Sequence, residues 1–291
     1  MRLGAALCET FAKAGWQVLC HYRSGEAQAQ ALCQSLRSQG LAASAVHADL
    51  SQTSDCIAMM ATIEREHGLL DCLVNNASLF IPDTGSDFDA AQAAAQLQVN
   101  LLAPLTLAKI MANARRNGID RANRADSKSA SIEDACAIHI LDQKVYNLNP
   151  DYFSYTVSKL ALERAVSLQA QSLAPHLRVC GVAPGLMYLS GPQSEDNFNL
   201  AASANLMRRP TDPLTWPAPA CFWPAPPASP APQSASIMAS TWFPCRATSC
   251  LWWKTCSKNT PYDRFPSRRF AAHVPPPVPA QLRGVGEYWR A

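Results

Sequence analysis

Apolar positions recur every three or four residues through "LGAALCETFAKAG" (3–15), and the run stops at a glycine, which predicts a helix. A short β-rich run follows, "WQVLCHY" (16–22), and then a second helical pattern, "GEAQAQALCQSLRSQG" (25–40), closed by Gly40. The alternation continues. "ASAVHADL" (43–50) predicts a strand and "SDCIAMMATIEREHG" (54–68) a helix ended by Gly68; "LDCLVNNAS" (70–78) predicts a strand running into a polar turn. A long helix is expected over 90–118, kinked at Pro104, and "RRNGIDRANRADSK" (115–128) is expected to be a solvated loop. "ACAIHILD" (135–142) predicts a strand, 154–174 a helix, and "LRVCGVAPG" (177–185) a last strand. Strands separated by helices imply parallel βαβ units in a doubly wound sheet. Ligands of such sheets sit at the carboxyl ends of the strands.

The pattern fails after about residue 206. Residues 214–291 hold fourteen of the 22 prolines and six of the seven tryptophans, with Asp263 and Glu287 as their only acids. Stretches such as "PAPACFWPAPPASPAP" exclude helix interiors and central strands. The chain therefore divides into an α/β domain, 1–206, and a Pro/Trp/Cys-rich tail, 207–291, expected to be irregular.

Composition narrows the partners. Of 291 residues 48% are hydrophobic and 16% charged, and the net charge is +3, which supports a core and implies no polyanion partner. No basic cluster with interleaved aromatics suggests nucleic acid, and no apolar run is long enough to span a bilayer. The first ten residues lack the layout of a signal peptide. Eleven cysteines without metal-ligand spacing read as free thiols of a cytoplasmic protein. No metal site is expected: His47 beside Asp49 is a single histidine, and His139 in an apolar strand is read as a core residue, as are Cys72 and Cys180.

Chemistry concentrates in "DYFSYTVSKLALERA" (151–165), where Tyr155 and Lys159 stand one helical turn apart. A phenol titrates near pH 10, and a nearby ammonium favours the phenolate. Such a pair exchanges a proton with a carbonyl, an imine or an alcohol; on an exposed helix it is only a solvated face.

The motifs around it resemble the short-chain dehydrogenase/reductase family over roughly 1–206. Tyr155-Thr156-Val157-Ser158-Lys159 matches that family's YxxxK, and "LVNNAS" (73–78) its NNAG turn with Ser78 in place of glycine. Asn100 in "LQVNLLAP", Asp49 in "HADL" and the turn Ala183-Pro184-Gly185 match further family positions. Asp142, thirteen residues before Tyr155, stands where most members have serine. Pteridine reductases and dihydromonapterin reductases carry aspartate there, and share the "RLG" (2–4), "HYRS" (21–24) and "NNASxF" (75–80) seen here.

The resemblance implies an NADPH-dependent reductase acting on a small molecule. Tyr155 would be the general acid, Lys159 its tuner and a ribose ligand, and Asp142 and Asn100 relay or orienting groups. Arg2, Leu3, Gly4, His21, Arg23, Ser24, Asp49, Leu50, Asn76, Ala77, Ser78, Pro184 and Gly185 would line the cofactor. Phe80 would stack on a substrate ring beside Asp142 and Tyr155. Asp142 on its own residues also reads as the cap of a turn. Arg23 and Ser24, a cation and a hydroxyl after "WQVLCHY", the strand that matches the family's second, suit a 2′-phosphate. The family is usually tetrameric.

Two departures set further expectations. The family's first strand and most of its glycine-rich turn are expected to be missing, leaving unpaired edges in the sheet. The tail is expected to be out of frame: in the shifted frame Trp223-Pro224 forces Ala, Met238-Ala239 Gly, Trp242-Phe243 Val and Trp253-Lys254 Glu. A proline-rich interaction tail and an inactive remnant are the alternatives.

Overall fold

The computed structural model describes residues 3–124, 135–185, 187, 194–196, 198–199 and 234–237. All belong to the first of two compact units, Met1–Cys245; the second, Arg246–Ala291, and Arg2 lie outside the described residues.

The elements run α1 (Leu3–Lys13), β1 (Gln17–Tyr22), α2 (Glu26–Ser38), β2 (Ala43–His47), α3 (Thr53–His67), β3 (Cys72–Asn75), α4 (Ala90–Leu97), α5 (Ala103–Arg124), β4 (Cys136–Ile140), α6 (Phe153–Leu173), β5 (Arg178–Val182) and β6 (Ser234–Ile237). The first three helices end in glycines with φ near +80 to +90° (Gly15, Gly40, Gly68), a conformation in which a Cβ would be strained.

The strands form one parallel sheet in the order β2-β1-β6-β3-β4-β5. The doubly wound sheet read from the periodicity is present. Its two faces are both covered, which is why β3 and β4 are continuous buried runs and not alternating ones. In β1 the pleat divides the core: Val18 and Cys20 join Leu7, Phe11, Trp16 and Leu36 under α1 and α2. Leu19 joins Met59, Ile63, Leu73, Leu107 and Met111 under α3 and α5.

Three expectations change. The place between β1 and β3 has no unpaired edges, because β6 fills it: Gln17–Cys20 pair with Ser234–Ile237, and Cys72–Val74 with Ala235–Ile237. The strand comes from the proline-rich stretch in which no strand was expected; four residues free of proline suffice. The loop expected from residue 115 is helix as far as Arg124, and Arg115 is 8% exposed, donating to the Leu70 carbonyl at 2.8 Å and to the Asp71 carboxylate. The kink near Pro104 is a wide turn of π-helix, Gln98–Leu102, joining α4 to α5. Proline has no N–H for the preceding turn, and π turns are one way a helix absorbs that loss. Among the described residues no helix is long and apolar enough to cross a membrane, and no cluster of His, Cys, Asp or Glu could hold a metal ion.

Candidate active site

Parallel strands bring Tyr22, His47, Asn75, Ile140 and Val182 to one edge of the sheet, and among the described residues those read as catalytic or cofactor-binding, His21 apart, follow one of those ends or lie on an adjoining helix. The order of the strands reverses across β6, since β1 leads outward to β2 and β3 outward to β4. The carboxyl end of such a reversal is a crevice for ligands.

The start of α6 is fixed from outside the helix. The Asp83 carbonyl accepts from Phe153 N at 3.2 Å, and the Asp83 carboxylate from Ser154 N at 3.1 Å. These are first-turn N–H groups that have no partner within the helix. Tyr155 and Lys159 then point inward, 5% and 3% exposed. The Tyr155 hydroxyl donates to Asp142 Oδ2 at 2.7 Å. Lys159 Nζ donates to the Ile140 carbonyl at 2.8 Å and stands 5.7 Å from the Tyr155 ring centroid. Asp142 Oδ1 accepts from Lys144 N at 2.9 Å, so the turn cap and the partner of the tyrosine are the same residue, one oxygen for each.

The electrostatics differ from the expectation drawn from spacing. Burial pushes the Tyr155 phenol well above its ordinary value, and the Asp142 carboxylate adds to the rise. Lys159 does not reverse this; its ammonium donates to the Ile140 carbonyl. Burial itself lowers Lys159 to about 8, with Asp142 acting the other way.

Asn100 lies on the π turn, wholly buried. Its Oδ1 accepts from Leu79 N at 2.7 Å, and its Nδ2 donates to the Leu79 carbonyl at 2.9 Å and to Ser158 Oγ at 3.0 Å. Ser158 Oγ in turn donates to the Tyr155 carbonyl at 2.6 Å. Asn100 thus ties the turn after β3 to the helix of Tyr155. His139 is a core residue: Asn75 Nδ2 lies 3.2 Å from its Nδ1 and Gln169 Oε1 2.8 Å from its Nε2, which assigns the ring proton to Nε2, and burial lowers it to about 4.

An aromatic wall completes the site. Phe80, 38% exposed, stacks on Tyr152 with centroids 3.8 Å apart and planes 10° apart. It meets Tyr155 edge-on at 4.6 Å and 89°. Tyr152 precedes α6 with φ +52°, the one non-glycine residue with positive φ among those described. Sequence reasoning missed Tyr152, Asp83 and Lys144. The available signal for Tyr152 was its three-residue spacing from Tyr155; for Asp83 there was none.

The residues read as cofactor ligands share the edge. Arg23 and Ser24 are exposed at the end of β1, and among the described residues the guanidinium has no ion-pair partner. His21 Nε2 lies 2.9 Å from the Ala48 carbonyl, tying the ends of β1 and β2, and burial lowers its pKa. Asp49 Oδ1 accepts from Ser51 N at 2.9 Å, which holds its carboxyl below the usual range, and Leu50 is buried. Asn76, Ala77 and Ser78 follow β3, and Pro184 and Gly185 follow β5, all at least partly accessible. Leu3 and Gly4 open α1, whose first turn lies at this edge because its last turn leads straight into β1. Arg2 lies outside the described residues. A cation with a hydroxyl, open helix N–H groups and a crevice between them form a donor set that fits a phosphorylated dinucleotide.

Residues 2–122 match the family model for short chain dehydrogenase. The crystal structure of FolM alternative dihydrofolate reductase 1 from Brucella suis, in complex with NADP, superposes with a TM-score of 0.65 at 31% identity, covering 74% of this chain and 80% of that one. Pteridine reductase 1 of Leishmania tarentolae is 29% identical over 223 residues, 65% of this chain and 74% of its own. A dihydromonapterin reductase of Enterobacter sp. (strain 638) is 22% identical over 207 residues, 71% of this chain and 79% of its own. The chain belongs to the short-chain dehydrogenase/reductase family. It is by descent a nicotinamide-dependent reductase with a Rossmann-like fold.

Proposed function

We propose that this chain is an NADPH-dependent reductase that converts a C=N or C=O bond of a flat pterin-like ring, or of a small carbonyl compound, to the amine or alcohol. One observation carries the reading: a phenol, a carboxylate and an ammonium converge on each other beside an aromatic wall at the carboxyl edge of the sheet. The relatives support the cofactor and the ring. The Brucella structure was determined with NADP, and two of the relatives are named for pterin reduction.

NADPH would lie across the crevice, its 2′-phosphate at Arg23 and Ser24, its pyrophosphate by the first turn of α1 and its nicotinamide beside Pro184 and Gly185. Bound there, it supplies the hydride. The work of the chain is to place the acceptor and its proton. A flat ring lies against Phe80, with its reducible bond at the Tyr155 hydroxyl. The phenol donates its proton to the acceptor nitrogen or oxygen as the adjacent carbon gains the hydride. The phenolate left behind is favoured by the Lys159 cation. Asp142 accepts a hydrogen bond from a ring N–H, or passes to Tyr155 a proton taken up from solvent, which restores the phenol. Asn100 holds the Phe80 turn and the Tyr155 helix in register.

The test is to titrate the full-length chain with NADPH, following nicotinamide fluorescence, and then to follow NADPH oxidation with dihydrobiopterin. Saturable binding and turnover, lost in Y155F, are expected. Absence of NADPH binding overturns the reading and leaves a non-catalytic remnant.

A further inference from the structure

The segment between β4 and α6 carries Asp142 at one end and Tyr152 at the other, and a single side chain ties it together. The Lys144 ammonium donates to the Asn149 side chain, to the Asp151 carboxylate and to the Asp151 carbonyl, the last at 3.1 Å. Three N–H donors thus meet three acceptors, the full capacity of an ammonium. The Lys144 side chain is only 12% exposed. Its Nζ stands 5.7 Å from the centroid of the Tyr152 ring. Its backbone N–H donates to Asp142 at 2.9 Å.

Tyr152, next after Asp151, has a left-handed backbone that a residue with a side chain keeps only where its surroundings hold it. Its ring is what Phe80 stacks on. Lys144 and Asp151 close a loop just before that residue, so the ammonium restrains the chain that presents the aromatic wall.

We propose that Lys144 is a positioning residue: its ammonium clamps residues 144–151 so that Tyr152, and through it Phe80, stands ready beside Tyr155 before a flat ring arrives. This deepens the reading of the site as one for a planar heterocycle. With the clamp the slot is ordered in advance. Without it the slot orders on binding, and that cost falls on substrate affinity and not on the proton transfer.

The test uses the full-length chain as K144M and K144R. K144M raises KM for dihydrobiopterin about tenfold, while kcat stays within about twofold and NADPH affinity is unchanged. K144R, which keeps a cation with several donors, recovers most of the loss. In the absence of any ligand, amides of 145–153 exchange with deuterium faster in K144M than in the parent. That measurement needs no turnover, so it decides the clamp even if dihydrobiopterin is not a substrate. Unchanged exchange in K144M overturns the proposal. So does a KM equal to the parent's where the parent turns over, or a joint loss of kcat and NADPH affinity.

Discussion

Tyr155 donates to Asp142, thirteen residues earlier in the chain, across 2.7 Å. The bond sets the resting state of the proposed acid. A buried phenol facing a carboxylate holds its proton more firmly than a free one. The proton is therefore retained until a substrate takes Asp142's place or Lys159's cation comes to dominate.

Replacing Asp142 by asparagine removes a negative charge that raises Tyr155 and keeps a group of the same shape. The phenol then loses its proton at lower pH. In kcat/KM against pH, the alkaline limb, where the acid is lost, is expected to move to lower pH in D142N, and the rate to drop by about 10²-fold. A limb in the same place would show that Asp142 does not govern the acid.

Lys159 gives a second pH signature, in stability. Its folded-state value is about 8 against an ordinary 10.5. Between those values the unfolded chain holds a proton that the folded chain has released, so stability rises with pH across that window. The full swing is about 3 kcal/mol. Urea unfolding of the parent and of K159M at neutral pH and near pH 10 is expected to show the difference moving in the parent's favour by most of that amount. The comparison cancels whatever K159M loses at every pH, including its bond to the Ile140 carbonyl. Equal slopes would mean that Lys159 is not buried as an ammonium.

Arg23 is expected to separate the two nicotinamide cofactors. It is exposed after β1, beside Ser24, where a ribose 2′-phosphate would lie. R23A is expected to weaken NADPH binding by about tenfold or more and to leave NADH unchanged, since only the former carries that phosphate. Fluorescence titration with both cofactors reads the ratio. Equal losses would place the 2′-position elsewhere.

Much of this was legible from the order of residues. The helix and strand periods locate most of the elements, because burial on one or two faces is written into spacing. Tyr155 and Lys159 were recognisable because they stand one helical turn apart, and Asp142 because the resemblance to pteridine reductases puts aspartate thirteen residues before the tyrosine. What spacing does not carry is direction. Lys159 is aimed at the Ile140 carbonyl, while burial and the Asp142 carboxylate bias the Tyr155 proton. The left-handed Tyr152 is held by contacts distant in sequence, such as Phe80. Arg115 reads as a surface charge until Asp71 is brought beside it. β6 was illegible for another reason: Ser-Ala-Ser-Ile has little strand propensity, and its place follows from the two strands it joins.

That strand is the most exacting test of the fold. Position 236 is in register with Leu19 on one side and Leu73 on the other, both wholly buried. A proline there removes a ladder N–H and brings a ring into a central strand, where proline is not accommodated. S236P is expected to lose about 3 kcal/mol or more in thermal or urea unfolding. It is also expected to lose NADPH binding, because β6 joins β1 to β3, the strands that lead to Arg23 and Asn76. S236V, with a β-branched residue suited to a strand, is expected to be at least as stable as the parent. In the parent, amides of 234–237 should exchange as slowly as those of β3. An S236P chain with the parent's stability, or a fast-exchanging 234–237, would remove β6 from the sheet and return the gap between β1 and β3.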